Sequence, residues 1–570
     1  MVQFWSMTPQ TKLDTKEQVL YGAMPTIPTP DEFQALLLAR LGLSPVAEKS
    51  FLFPEYKLGN LFDFEDMGIA TERIYRAIKD GEQIGIYADY DCDGIPGAVV
   101  LLDLFKVLGV ADRVHVYIPD RHDEGYGMST TGINVLEDKG VTLIITVDLG
   151  ITAIAEVADT KSRGIDVIVT DHHASLSELP GALAVIHPEK STYINQDPCG
   201  AGVAFYLVCA FLEKYREEFG IKEGWEKWLL DLVGFATLSD MVPLVSENRM
   251  LVAYGMMVMK KTRRLGLRTL FAEQRMDIEA LTETDLTFTV APRLNAASRM
   301  ATPMLAFELL ATDDRSRALT IAKELEKINS ERKLVVARIV KEAHKKLEAR
   351  ELPAIVVLGD LTWRPAVLGL VATKLQETYG RSFFVWGESG DGLIKGSCRM
   401  LDEHHAAYIF QALPEGVLLH AGGHQAAGGF AVAKEKIHFL EQELNEAIDR
   451  VGHVAEVVKN TDAIPMSIGI ATTRHLQKLR ALAPFGVGNP EPLFEFGNVS
   501  ITSTKMFGKN KEHLECEIND GTGRATAFTF FVDDVMKETF VPGAVVSFTG
   551  TLEAGWRGGV RIRIRDLISQ

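Results

Sequence analysis

Between residues 80 and 245, short apolar runs of strand length alternate with stretches of helical periodicity. The runs are Ile84 to Tyr87, Val114 to Ile118, Leu143 to Val147, Val167 to Thr170 and Leu183 to Ile186. Such alternation predicts a parallel α/β sheet with helices on both faces. Residues 206 to 345 read as mainly helical. Within that region Asp313 to Leu352 lacks Pro and Gly, mixes charges densely and keeps apolar residues at helical spacing, so it reads as a solvated connecting helix with no catalytic part. After Pro353 a second α/β pattern opens with Ala354 to Leu358 and runs to about 455. From Ile464 onward short strands separated by Gly, Asn and Asp turns predict a small β-barrel, for which an OB-fold has the right size. Residues 1 to about 75 read as a leader with short amphipathic helices such as Asp31 to Arg40.

A chain of 570 residues, 46% hydrophobic and 8% aromatic, can bury sizeable cores and suggests about three or four domains. No apolar stretch is long enough to span a membrane, and Met1 to Trp5 lacks the basic-then-apolar order of a secretion signal, so a cytoplasmic protein is expected. The five cysteines are scattered without CxxC spacing, which argues against a zinc site and a disulfide frame. A net charge of −17 opposes a nucleic-acid partner at first sight. Basic clusters at Arg293 to Arg299, Lys395 to Arg399 and Lys505 to Lys511 leave that question open, because charges segregate.

Chemistry concentrates where strands end. Asp89-Tyr90-Asp91-Cys92-Asp93-Gly94 stands at a strand-to-helix corner, where open parallel sheets place their sites. Carboxylates held that close repel one another unless a cation lies between them. The motif alone also fits a helix N-cap cluster. The strand Thr142 to Val147 ends in Asp148-Leu149-Gly150, and Val167 to Thr170 ends in Asp171-His172-His173, so three acidic strand ends can converge on one rim. Asp240, after the apolar helical segment Leu229 to Leu238, taken alone fits a helix cap or turn better than a ligand.

In this order the motifs are specific. They are Asp89 to Gly94, Glu124-Gly125-Tyr126-Gly127, Asp171-His172-His173, Cys199 to Phe205, Asp240-Met241-Val242-Pro243-Leu244, Pro292 to Arg299, Gly422 to Gly428 and Pro484 to Pro492. Together they resemble the DHH phosphoesterase superfamily and, within it, the RecJ family of single-strand-specific 5′ to 3′ exonucleases. The resemblance implies a parallel-sheet DHH domain (76–312, after a leader 1–75), a connecting helix (313–352), a DHHA1 domain (353–455) and a C-terminal OB-fold domain (456–570). It further implies two divalent ions, Mn²⁺ or Mg²⁺. By position the ligands are Asp91, Asp93, Asp148, His172 and Asp240, with Asp148 bridging and with Asp89 and His173 beside them.

For the substrate, single-stranded DNA, the resemblance implies a 5′-phosphate pocket from Ser397, Arg399 and Arg121. His424 of the glycine-rich run would reach the scissile region, and Arg293, Asn295 and Arg299 would lie along the backbone. In the barrel Lys505, Phe507, Lys509 and Lys511 are candidates, with Trp556, Arg557, Arg561, Arg563 and Arg565. Three positions depart from the family pattern: Leu149 replaces an Asn, Arg364 a His and His187 an Asn. Tyr87 stands where other DHH enzymes place a ligating His. The expected role is recombination and repair, as a monomer without a membrane, with single-strand-binding protein or a helicase as accessory partners. Two alternatives remain: a phosphodiesterase for short oligonucleotides or cyclic dinucleotides, and a non-catalytic DNA-binding scaffold.

Overall fold

The computed structural model describes residues 27–121, 124–175, 178–348, 350–390, 392–401, 404–423, 426–452, 463–508, 511–555 and 558–568. They form two compact units: residues 56–452 make one, and 27–55 with 463–568 make the other.

The first unit opens with five parallel strands, β1 (Gln83–Ala88), β2 (Val114–Tyr117), β3 (Val141–Val147), β4 (Asp166–Thr170) and β5 (Ala184–Ile186), in the spatial order β2-β1-β3-β4-β5. Helices cover both faces. One face packs Ile84, Ile86, Leu143 and Ile145 against the helices Gly94–Val107, Gly200–Tyr215 and Leu230–Ser239, and the other packs Tyr87, Ile144, Val167 and Val169 against Thr130–Glu137 and Ile154–Ser162. The order reverses between β1 and β3, and at such a reversal the connections leave to opposite faces and open a crevice at the strands' carboxyl ends. Gly97 brings the first helix in close: a Cβ there would lie 2.5 Å from the Val147 Cγ1 and 3.0 Å from the Ala201 Cα.

The helix Arg315–Leu347 is not a solvated spacer. Ala318, Ile321, Ala322 and Leu325 on its first half belong to the core of the parallel-sheet domain, while Val336, Ile339, Ala343 and Leu347 enter the core of the next one. Asp314 caps it, its side chain accepting from the Ser316 and Arg317 amides at 2.7 and 3.1 Å. Burying an apolar stripe in each domain lets this helix fix the two relative to each other.

The next sheet is mixed, β6 (Ile355–Gly359), β7 (Ser382–Glu388), β8 (Ile394–Arg399), β9 (His420–Gly423) and β10 (Ala427–Val432), in the order β6-β7-β8-β10-β9, with only the β6/β7 pair parallel.

The second unit is a barrel of β11 (Ile464–Pro465), β12 (Phe494–Phe507), β13 (His513–Asn519), β14 (Arg524–Thr529), β15 (Val545–Ala554) and β16 (Val560–Leu567). The order is β11-β12-β13-β14-β16-β15, and the long β12 closes it by pairing with β15 through its first half and β13 through its second. Its core includes the helix Pro30–Ala39: Phe33 is fully buried, 5.6 Å from the Phe494 ring and edge-on to His475 at 5.3 Å. His475 Nε2 donates to the Pro28 carbonyl at 2.9 Å. The N-terminal helices therefore belong with the barrel and not with the sheet they precede in sequence.

Candidate active site

The ladder of the parallel sheet continues one residue past its strands. The Asp89 amide donates to the Val147 carbonyl at 3.1 Å, the Asp148 amide to Thr170 at 3.0 Å and the Asp171 amide to Ile186 at 3.3 Å. Three carboxylate-bearing residues are thereby held at adjacent strand ends, at the point where the strand order reverses. Asp91 makes the turn that follows: its Oδ1 accepts from the Asp93 amide at 2.8 Å and the Gly94 amide at 3.2 Å. Gly94 is required, since a Cβ there would lie 2.5 Å from the Asp89 carbonyl oxygen.

Asp93 is gripped from the opposite side by the start of the helix Gly200–Tyr215. Gly200 N–H donates to its Oδ2 at 2.5 Å and Ala201 N–H to its Oδ1 at 2.8 Å, an anion at a helix N-terminus. Asp148 has a positive φ of 61°, an αL conformation that Asp tolerates better than most residues but that still stores strain.

His172 aims one nitrogen at three carboxylates. Its Nε2 lies 3.2 Å from Asp148 Oδ1, 3.6 Å from Asp240 Oδ2 and 3.7 Å from Asp93 Oδ2. His173 Nδ1 lies 3.7 Å from Asp148 Oδ1 and bonds Asp171 Oδ1 at 2.9 Å. Asp171 itself turns away, accepting from the Ile151, His172 and His173 amides at 2.9, 2.7 and 3.1 Å. It positions the two imidazoles and is no part of any cluster able to hold a cation among the described residues. Three such clusters exist, each with its ligand atoms within 4.8 Å of one another: Asp89 with Asp91 and Asp148, Asp93 with His172 and Asp240, and Asp148 with His172 and His173. Shared members make them one continuous centre.

Burial and mutual repulsion push the carboxyl groups out of their usual range. Asp89 and Asp148 rise far above it, Asp93 to about 6 and Asp240 to about 9; burial is the larger cause in each and neighbouring Asp charges the next. Burial alone would depress His173, but its hydrogen bond to Asp171 and the surrounding carboxylates raise it to about 9. Asp89 Oδ1 is buried with no hydrogen-bond partner among the described residues. Orphaned, mutually repelling carboxylates with an imidazole among them fit a divalent cation that prefers oxygen and nitrogen ligands. All five cysteines are buried and free, and none joins these clusters.

A second cluster is cationic. Arg299 is pushed down to about 9, first by burial and then by the charges of Arg121, Arg332 and Arg399; burial and Arg121 likewise depress Arg399. Among the described residues none of the four forms an ion pair with a carboxylate, and Arg332 Nε is buried with no hydrogen-bond partner. The Arg121 guanidinium lies 4.8 Å over the Tyr90 ring, so Tyr90 stands between the acidic centre and the arginines. Ser397 and Arg399 meet Gly369, where a Cβ would approach Arg399 Nη2 to 3.3 Å. Half-buried cations crowded together in this way attract an anion.

The remaining sequence candidates divide. Arg293 is committed elsewhere, pairing with Glu326 at 2.6 Å and donating to the Thr289 carbonyl at 2.6 Å, whereas Asn295 Oδ1 is buried and unpartnered among the described residues. His424, Lys509, Trp556 and Arg557 lie outside the described residues. In the barrel Lys505 is exposed, and Phe507 joins His513, Phe530 and the 77% exposed Phe531 in an aromatic group. Arg561 stacks on Phe528 at 3.8 Å and Arg563 on Phe530 at 5.4 Å, both within 3.6 Å of Glu553, and Arg565 approaches Glu491 at 3.8 Å. Arg332 carried no signal in the sequence, because it sits in a stretch of mixed charge. Tyr126, visible only as part of a motif, puts its hydroxyl 3.1 Å from His173 Nδ1 and donates to the Asp148 carbonyl at 3.2 Å.

Two of the departures from the family pattern, Leu149 and His187, are absorbed locally. Leu149 is fully buried in the core on the far face of the sheet. His187 Nε2 donates to the His173 carbonyl at 2.8 Å and so supports that residue from behind. The Tyr87 hydroxyl accepts from the Ser129 amide at 3.0 Å and shapes the loop that carries Tyr126, away from the carboxylates.

Comparison with known proteins gives matches along most of the chain. Residues 83–237 match the DHH family, N-terminal domain; 352–456 the DHHA1 domain; and 464–566 the RecJ OB domain. The chain is 32% identical to the single-stranded-DNA-specific exonuclease RecJ of Haemophilus influenzae, over 78% of this chain and 80% of that protein, and 31% identical to that of Escherichia coli, over 82% and 84%. It is 34% identical to the Bacillus subtilis protein over 91% of its own length but spans only 65% of that relative. The crystal structure of RecJ in complex with Mn²⁺ from Thermus thermophilus superposes with a TM-score of 0.74 at 26% identity, covering 96% of this chain and 79% of that one.

Proposed function

Because the chain belongs to the RecJ family, we propose that it is a metal-dependent exonuclease that degrades single-stranded DNA from the 5′ end, in recombination and repair. The observation that carries this reading is the pairing of a buried carboxylate-imidazole centre with a half-buried arginine cluster that has no carboxylate partner among the described residues, with Tyr90 beside both. Asp89, Asp91, Asp93, Asp148, His172 and Asp240 would hold two divalent ions, with Asp148 common to two of the clusters and His173 beside it. Such ions, when bound, supply Lewis-acid charge to the attacked phosphodiester and activate water for an in-line displacement.

The chain's own residues do the rest. Arg121, Arg299 and Arg399, with Ser397, grip a terminal phosphate, since guanidinium groups match phosphate geometry and lose least by burial when an anion joins them. Anchoring that phosphate registers the next phosphodiester over the carboxylate centre and sets the polarity. His173, held by its hydrogen bond to Asp171, stands beside Asp148 and would offer a further hydrogen bond to the bound phosphate. The barrel, with Lys505 and the Phe507 group, offers single-stranded DNA charge and stacking surfaces.

The test is a comparison of 5′-phosphorylated oligonucleotides labelled at either end, single-stranded and duplex, with Mn²⁺ or Mg²⁺. Labelled mononucleotide released at once from the 5′-labelled single strand, with progressive shortening of the 3′-labelled one, is the expected pattern. Equal cleavage of duplex, or internal cuts, would refute the reading.

A further inference from the structure

Two loops border the carboxylate centre, and one amide holds both. Asn248, 1% exposed, lies near the start of the helix Ser246–Met259. Its Nδ2 donates to the Asp197 carbonyl at 2.6 Å and to the Pro243 carbonyl at 3.0 Å, while its Oδ1 accepts from Asn195 Nδ2 at 2.7 Å. Asp197 stands three residues before Gly200, whose amide binds Asp93, and Pro243 stands three residues after Asp240. We propose that Asn248 is a positioning residue for the metal centre, clasping these two loops so that Asp93 and Asp240 converge on the His172 nitrogen.

The clasp is rigid because its surroundings are satisfied. Asn195 also donates to the Tyr206 hydroxyl at 2.9 Å. Tyr206 in turn donates to Glu247 Oε2 at 2.9 Å, and Tyr193 and the Gly59 amide donate to the same carboxylate. A fully paired buried polar network specifies one arrangement of the segments it joins. The Asp240 side needs such restraint: Met241, the next residue, has a φ of 63° and is 68% exposed, so neither conformational preference nor burial holds the turn. The clasp would act on geometry and not on charge, since Asn248 does not itself reach a carboxylate.

This inference rests on the metal-binding reading of the centre, and the test separates the two. Mn²⁺ binding is measured on the whole protein from the loss of the free-ion electron paramagnetic resonance signal, beside kcat and KM for single-stranded DNA. Asn248→Asp keeps the shape but cannot donate to either carbonyl, and Asn248→Ser removes the reach. Val252→Ala, in the core on the same helix, serves as a control that lowers stability without touching the loops. Mn²⁺ binding about 10- to 100-fold weaker in both Asn248 variants is expected, the range seen when residues supporting metal ligands are replaced. The KM for DNA would stay unchanged and kcat would recover at high Mn²⁺, while Val252→Ala binds Mn²⁺ normally. Unchanged Mn²⁺ affinity in the Asn248 variants would overturn the inference, as would equal weakening in Val252→Ala or failure of both Asn248 variants to fold while Val252→Ala folds. Failure of the unmodified protein to bind Mn²⁺ would instead overturn the reading of the centre itself.

Discussion

Gly200 lies so close to Asp148 that a Cβ placed on it would sit 2.4 Å from the Asp148 Cβ, while its amide donates to Asp93 Oδ2 at 2.5 Å. One glycine thus sets the spacing between two members of the carboxylate centre. Gly200→Ala must push Asp148 or the helix away, and both moves open the centre. The expected result is Mn²⁺ binding weakened at least about tenfold, with a folded protein by circular dichroism. Normal Mn²⁺ affinity would show that the contact has slack.

The pH dependence of the metal-free protein follows from the raised groups. Asp93 and Asp240 favour the protonated form in the fold, so the stability they contribute is whole below about pH 4, the unfolded value of Asp, and is lost as pH rises through about 6 and about 9. His173 acts in the same sense: its contribution is whole below about 6.5 and lost on passing about 9. A bound divalent ion removes the carboxylate penalty. Melting temperatures with EDTA and with Mn²⁺ should therefore diverge between pH 5.5 and 8.5. A constant difference across that range would contradict the assignment.

Arg399 is expected to govern recognition of the strand end. Arg399→Ala should reduce cleavage of 5′-phosphorylated single strands by about 10- to 100-fold, the worth of one hydrogen bond to a charged group. Strands with a 5′-hydroxyl should be affected far less. Competition kinetics with the two substrates in one reaction measures this directly, and an equal loss on both would remove Arg399 from end recognition.

Phe33 fills the barrel core from the N-terminal side. Phe33→Ala should destabilise that unit by about 3–5 kcal/mol, lowering its melting transition and weakening DNA binding while leaving Mn²⁺ binding in the other unit intact. Simultaneous loss of Mn²⁺ binding would show that the two units are not energetically separate.

The parallel sheet and the acidic strand ends could be read from the chain because both are local patterns. A buried strand is a run of apolar residues, and its end is where the run stops; Asp89, Asp148 and Asp171 each occupy that place. What those ends do was less legible. Asp171 looked equivalent to the others, yet three backbone amides draw its carboxylate away from the centre. Arg293 and Arg299 sit six residues apart in one basic stretch, and only the position of Glu326 on another helix separates their fates. Arg332 was hidden by the mixed charges of a helix whose periodicity suits a solvated spacer as well as one buried in two cores. The pairing of Phe33 with Phe494 and His475 spans almost the whole sequence, and no periodicity encodes a partner so far away.

Asp148 is where the account is most exposed, since it belongs to two of the three clusters, is buried with a positive φ, and is crowded by neighbouring carboxylates. The decisive measurement is release of 5′-terminal mononucleotide from single-stranded DNA with Mn²⁺ by the unmodified protein and by Asp148→Asn, with melting temperatures of both in EDTA. The account predicts rapid release by the unmodified protein and a loss of more than about 100-fold in the variant. In EDTA the variant should melt higher, because an amide does not carry the cost of keeping a buried carboxyl group protonated near neutral pH. A variant that still cleaves, or one that is inactive and also less stable without metal, would contradict the claim that Asp148 is held in the fold for the metal.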